Sequence, residues 1–185
     1  IFFSIDSPKL KRIWPFNKGF AKSLQVFILV EKYMIKDELE YISGKIRSIP
    51  DFPRPGILFR DVTTLMQDAD AFSLAIEGMI ELINRKKVDY IAGIESRGFI
   101  FGTAIAQKLG VGFIPIRKKG KLPCEVHQVE YDLEYGKDTL EIDKSLKLKG
   151  KNIILVDDLL ATGGTVDCVS KLIRRNGKKV SGLLT

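Results

Sequence analysis

ILVDDLLATGGT, residues Ile154–Thr165, holds the most informative pattern in the chain. The apolar run from Asn152 to Val156 reads as a buried strand. Two adjacent carboxylates, Asp157 and Asp158, cut it off, and Ala161, Thr162, Gly163, Gly164 and Thr165 then open a helix marked by Val166, Val169 and Ile173 and stopped by Gly177. In an open α/β sheet, ligands sit at the carboxyl ends of the strands, which is where this acidic pair falls. Paired carboxylates there accept hydrogen bonds from two sugar hydroxyls, directly or through a hydrated Mg²⁺ that keeps most of its waters. The helix start next to them offers free N–H groups and the positive end of its dipole to a phosphate. Its glycines permit close backbone approach, and its threonine hydroxyls add donors. Neither G-x-x-x-x-G-K-[ST] nor G-x-G-x-x-G occurs in the chain, so the two common nucleotide fingerprints do not explain the segment.

On either side of this segment, strands and helices alternate. Ile35, Leu39, Ile42 and Ile46 recur at helical spacing from Met34, and this helix is expected to end near Ser48, because Pro50, Pro53 and Pro55 forbid its continuation. A rigid loop, IPDFPRPGILFRD, is expected next. Asp70 to Asn84 predicts a helix with Phe72, Ile76, Met79 and Ile83 on one side. Val88 to Ala92 predicts a buried strand, Gly93 to Arg97 a turn, and Phe99 to Leu109 a helix closed by Gly110 at its C′ position. Val111 to Ile116 predicts a strand that runs into a basic loop. Val126 to Leu133 and Thr139 to Ile142 read as the arms of a mobile hairpin around Glu134, Tyr135, Gly136 and Lys137. Val180 to Thr185 is one more strand. Strands separated by helices imply βαβ units and a mostly parallel sheet. A chain that stops on such a strand is expected to lack a C-terminal portion.

The 185 residues carry a formal charge of +7, which invites a nucleic-acid reading, but the distribution weakens it. Lys9, Lys11, Arg12, Lys18, Lys22 and Lys32 stand against only Asp6 and Glu31, so more than half the excess lies in residues 1–33, outside the periodic part. We read this stretch as a leader and residues 34–185 as the functional domain. The remaining excess clusters at Arg117, Lys118, Lys119 and Lys121, a compact group suited to one phosphorylated small molecule rather than a long polyanion. No run of 18 apolar residues predicts a membrane span. Cys124 and Cys168 are too few and too far apart for a disulfide framework or zinc site; they read as small packing residues, and a reducing cytoplasm is the expected location. His127, the only histidine, is assigned no role.

VDDLLATGGT resembles the phosphoribosyl pyrophosphate loop of type I phosphoribosyltransferases. Three further segments resemble the adenine-using branch of that family: DFPRPGILFRD (51–61), ESRGFIFG (95–102), and IRKKGKLP with LEYGKDTLEI (116–123 and 133–142). The resemblance implies a central, mostly parallel sheet flanked by helices, with a small hood and a hairpin lid. It implies that Asp157 and Asp158 hold the ribose hydroxyls and the shell of a donor-bound Mg²⁺, and that Ala161, Thr162, Gly163, Gly164 and Thr165 cradle the 5′-phosphate. Arg97, Arg117, Lys118 and Lys121 would serve the pyrophosphate. Leu58, Phe59, Arg60, Glu95 and Arg97 would serve adenine, and Glu134 and Tyr135 the chemical step.

The activity that the resemblance implies is transfer of a phosphoribosyl group to adenine, giving AMP and pyrophosphate in purine salvage, by a cytoplasmic homodimer that binds no nucleic acid or membrane. Two rivals stay open on the residues alone. One is a phosphoribosyltransferase for xanthine or hypoxanthine. The other is a donor-binding regulator without turnover; such regulators carry a DNA-binding domain, for which residues 1–33 are short, and retention of Glu134 and Tyr135 argues against it.

Overall fold

A computed structural model describes residue 34 and residues 36–83, 88–133, 136–150, 152–158 and 164–185. Residues 1–33, the expected leader, lie outside them. The chain divides into two compact units, one within residues 24–84 and the other within residues 85–185.

In the first unit, α1 (Lys36–Gly44) is followed by β1 (Arg47–Pro50), β2 (Leu58–Asp61), α2 (Thr63–Gln67) and α3 (Ala69–Leu82). Ile42, Val62, Leu65, Ala71, Ala75, Ile76 and Met79 form its buried interior. Two expectations fail in this unit. The first helix stops at Gly44, not near Ser48, and the predicted loop is a β-hairpin in which Arg47 pairs with Asp61 and Pro50 with Leu58. The cause is non-local: the Thr64 hydroxyl donates to the Lys45 carbonyl at 2.6 Å and accepts from the Arg47 N–H at 3.1 Å, pulling the chain out of the helix before the prolines act. The prolines instead mark the hairpin turn, where Gly56 N donates to Asp51 Oδ1 at 2.7 Å.

Asp61 locks this hairpin to α2. Its carboxylate accepts from Thr63 N at 2.9 Å and from the Arg47 guanidinium. Hydrogen bonds from Thr63 and Arg47 hold its pKa down to about 2, from an ordinary 3.8. Because the folded value lies below the unfolded one, its stabilising effect is full above pH ~4 and is lost as pH falls toward ~2. Asp61→Asn is therefore expected to flatten the acid limb of stability measured by thermal melting between pH 5 and 2; an unchanged limb would show that the pairing does not bear on stability.

The second unit is built on a six-stranded sheet of order β5-β6-β4-β3-β7-β8. Its strands are β3 (Tyr90–Ile94), β4 (Gly112–Lys118), β5 (Val126–Leu133), β6 (Gly136–Asp143), β7 (Asn152–Val156) and β8 (Lys179–Leu184), with α4 (Arg97–Leu109) and α5 (Gly164–Arg175) as its helices. β4, β3, β7 and β8 are mutually parallel, while β6 runs antiparallel to β4 and β5. The parallel strands β3 and β7 are apolar along their length because both faces are covered. Alternate residues serve opposite faces: Ala92, Ile94, Ile114, Ile116, Ile153 and Leu155 meet Val166, Val169, Leu172 and Ile173 of α5, whereas Ile91 and Phe113 lie against Gly102 of α4. Burying each such isoleucine or leucine contributes roughly 1.5–3 kcal/mol relative to leaving it exposed.

The hairpin β5–β6 grows out of this sheet rather than from a separate loop. Leu140 and Ile142 are fully buried in its core, and α5 secures β5 through the Arg175 guanidinium, which donates to the Gln128 carbonyl at 2.9 Å. Two boundaries and the packing of one cysteine differ from expectation. β3 extends through Ile94, so Gly93 is a strand residue, not a turn. β4 continues through Arg117 and Lys118, which pair with Glu141 and Leu140 and so belong to the strand, not to a loop. Cys124 is exposed after Pro123 instead of packed, while Cys168 is buried as expected.

Candidate active site

β7 ends at Val156, and two hydrogen bonds from backbone N–H groups, one to a carbonyl and one to a carboxylate, guide the chain out of the sheet. Asp157 N donates to the Leu184 carbonyl at 3.0 Å, and Asp158 N donates to Asp157 Oδ1 at 3.0 Å. The Asp158 side chain is 13% exposed and pairs with Arg97 Nε at 2.6 Å. Arg97 is the first residue of α4, following the turn Glu95-Ser96, whose peptide bond is cis. What brings that helix start to the acidic pair is Gly98. A Cβ there would lie 2.6 Å from the Val156 carbonyl oxygen and 3.3 Å from Asp157 Cα, while a Cβ on Gly93 would lie 2.6 Å from the Gly98 carbonyl. Two glycines thus wedge the start of α4 between the ends of β3 and β7. Burial pushes the Asp157 carboxyl up; the N–H of Asp158 opposes this, and the neighbouring Asp158 charge adds to it. A carboxyl so displaced at a strand end is a functional-site candidate.

The cationic side of the site lies at the end of β4. Glu95 accepts from Arg117 Nε at 3.1 Å, from Arg117 Nη2 at 3.3 Å and from Lys118 N at 2.9 Å. Arg117 holds the Glu95 carboxyl below its ordinary range, so it is charged at neutral pH. The Arg117 guanidinium lies 5.8 Å above the Phe99 ring, which meets Phe113 edge-on at 5.7 Å. The buried Glu141 carboxylate accepts Gly120 N at 2.9 Å and so holds the tight turn leading to Lys121. Lys118 Nζ lies 3.3 Å from Asp138 Oδ2, which also accepts from the Tyr131 hydroxyl at 3.3 Å. Burial, then the Asp138 charge, pushes Tyr131 up to about 12, and a hydrogen bond with the Thr165 side chain lowers it. The hairpin and the basic strand end therefore share one polar network through Asp138.

Of the residues singled out by sequence, Asp158, next to Asp157, pairs with Arg97, and Arg117 and Lys118 meet Glu95, whose carboxylate is directed to this basic group. Gly164 and Thr165 are the first residues of α5. Glu134, Tyr135, Ala161, Thr162 and Gly163 fall outside the described residues. Leu58, Phe59 and Arg60 lie on β2 in the other unit: Leu58 is 53% exposed, Phe59 meets Phe52 edge-on at 5.2 Å, and Arg60 donates to Ser48 Oγ. Sequence reading passed over Gly98, Glu141, Asp138 and Tyr131. For Glu141, its two apolar neighbours Leu140 and Ile142 on β6 were a signal that an acid had been placed within a strand.

The phosphoribosyl transferase domain family matches residues 63–184. The adenine phosphoribosyltransferase of Acidobacterium capsulatum is 50% identical over 144 residues, covering 78% of this chain and 80% of the relative. The chain belongs to the adenine phosphoribosyltransferase family. Solved members agree in fold. The adenine phosphoribosyltransferase of Thermoanaerobacter pseudethanolicus superposes with a TM-score of 0.75 at 50% identity, over 78% of this chain and 84% of that one. The Saccharomyces cerevisiae enzyme, crystallised with an imino-altritol bisphosphate and adenine, gives 0.75 at 37% identity, over 80% and 87%. The type I phosphoribosyltransferase fold expected from the sequence is thus present in this family member. Among the described residues, no helix is long and apolar enough to cross a membrane.

Proposed function

We propose that this chain transfers the 5-phosphoribosyl group from 5-phosphoribosyl 1-pyrophosphate to N9 of adenine, giving AMP and pyrophosphate. The observation that carries the reading is the Asp157–Asp158 pair at the end of β7, met by Arg97, in a chain about half identical to adenine phosphoribosyltransferases over most of its length. Adenine N9 forms the new bond to the anomeric carbon as the bond to the pyrophosphate oxygen breaks, and the N9 proton is lost. Positive charge grows on the sugar as in other glycosyl transfers. Asp157 and Asp158 hold the ribose hydroxyls, and Ala161, Thr162, Gly163, Gly164 and Thr165 receive the 5′-phosphate, the last two from the start of α5. Arg117, Lys118 and Lys121 offset the charge on the departing pyrophosphate. Leu58, Phe59, Arg60 and Arg97 serve the base, and Glu134 with Tyr135 manages the proton. The hairpin shields the donor from water.

Among the described residues, no group of three or more His, Cys, Asp or Glu side chains forms a metal cage. Two hard carboxylates at a strand end instead suit Mg²⁺, which keeps its waters and takes most of its other ligands from substrate phosphates. Asp157 and Asp158 would supply its outer contacts, and when bound it would neutralise charge on the pyrophosphate. We read the working form as a cytoplasmic homodimer acting in purine salvage.

Steady-state assays with the donor, Mg²⁺ and each of adenine, hypoxanthine, xanthine and guanine test the reading. AMP formation with adenine is expected to dominate. Turnover of another purine with none of adenine would move the assignment to that base, and donor binding without turnover of any base would favour a regulator.

A further inference from the structure

We propose that Glu95 is a positioning residue for the donor: its carboxylate sets the plane of the Arg117 guanidinium and the course of the basic turn 117–121 that meets the pyrophosphate. This rests on the proposed reading of Arg117 and Lys121 as pyrophosphate contacts.

The anchoring begins in the backbone. Glu95 N donates to the Ile116 carbonyl at 2.9 Å, so Glu95 is tied to β4 just before the residues its side chain addresses. Its carboxylate then grips consecutive residues differently, holding Arg117 by both edges of a two-pronged pair and Lys118 by its backbone N–H. The Glu95 side chain is 17% exposed and that of Arg117 31%, so the pair is less screened than a surface pair. Phe99 supplies a platform beneath the guanidinium. From the other side Glu141 holds Gly120 N, and the Thr139 carbonyl accepts Lys119 N at 3.2 Å. The turn is therefore gripped from both flanks, and Glu95 is the grip that reaches a donor-facing side chain.

Positioning fits this geometry better than competition. The bonds from Arg117 to Glu95 use Nε and one position on Nη2, and Nη1 makes only a 3.4 Å contact with the Lys121 carbonyl. A guanidinium holds more N–H groups than these. A phosphate oxygen can be received while Glu95 stays in place, and a pre-oriented fork loses less freedom on binding.

The test measures donor affinity by calorimetry with Mg²⁺, and separate KM values for donor and adenine, for Glu95→Ala, Glu95→Gln, Arg117→Ala and the Glu95→Ala/Arg117→Ala double variant. Glu95→Ala is expected to weaken donor binding by on the order of ten- to a hundredfold with the adenine KM unchanged. Glu95→Gln, isosteric and still an acceptor, should recover part of that loss. In the Arg117→Ala background, removing Glu95 should add little, since the cycle then has no pair to break. Tighter donor binding by Glu95→Ala would mean that Glu95 competes with the donor, and would overturn the proposal. So would a rise confined to the adenine KM, or full additivity in the cycle. If Glu95→Ala does not fold, Glu95→Gln decides: several-fold weaker donor binding supports positioning, unchanged or tighter binding refutes it. Wild-type protein that binds no donor would sink the proposed function itself, whereas use of a different base leaves the donor arm intact.

Discussion

Gly98→Ala is expected to lower both thermal stability and donor affinity, although it adds a single methyl group. That methyl would sit 2.6 Å from the Val156 carbonyl oxygen and 3.3 Å from Asp157 Cα, and neither is the movable end of a side chain. Relief requires the start of α4 to withdraw from the ends of β3 and β7, and Gly93 allows no slack on the opposite side, because the Gly98 carbonyl already occupies the space of its missing Cβ. Overpacking of this kind costs about 1–3 kcal/mol, and in a domain of this size each kcal/mol lowers the melting midpoint by roughly 2–4 °C. The functional loss comes from the same movement, since Arg97 would leave Asp158. Differential scanning calorimetry and donor titration check both arms; a variant with the wild-type midpoint and donor affinity would show that the wedge does not hold the site.

The second large effect concerns the acidic pair. Asp157→Asn with Asp158→Asn preserves shape and leaves one acceptor oxygen on each side chain, but removes the charge that ribose hydroxyls and a hydrated cation would meet. Hydrogen bonds to charged groups contribute about 1.5–3 kcal/mol, so loss of even one effective contact predicts roughly ten- to a hundredfold weaker donor binding. Asp158→Asn also releases Arg97 from its ion pair. The dependence of turnover on Mg²⁺ concentration should shift to higher values in the double variant. Donor affinity and metal response equal to wild type would remove both residues from the site.

Much of this was legible in the sequence because the signals were local. The apolar strand Asn152–Val156, its acidic end and the helix after Gly164 emerge from pattern, and the helix closed by Gly110 is marked by a residue that adopts a left-handed φ of 67°. What was missed depends on contacts distant in sequence. Gly44 is a local stop signal, but Ile46 continues the helical spacing past it, and only the bonds of distant Thr64 to Lys45 and Arg47 decide the end. Gly93 looked like a turn because glycine serves turns and close approaches alike, and only the carbonyl of Gly98 reveals which use applies. Glu95 stood out only as part of a motif with its neighbours; the bond of its carboxylate to Arg117, 22 positions away, depends on β3 and β4 lying side by side.

At the end of β4, neighbouring cations part company. Arg117 lies on the face of Phe113 and reaches Glu95 and Phe99, while Lys118 lies on the face of Ile114 and Ile116 and reaches Asp138, the partner of Tyr131. The strand's two-residue repeat thus delivers adjacent cations to opposite sides of one sheet. What this edge must preserve is parity as well as charge: a single residue added between Gly112 and Ile116 would keep every lysine and arginine, yet turn Arg117 to the face of Asp138 and leave Ile116 opposite Glu95.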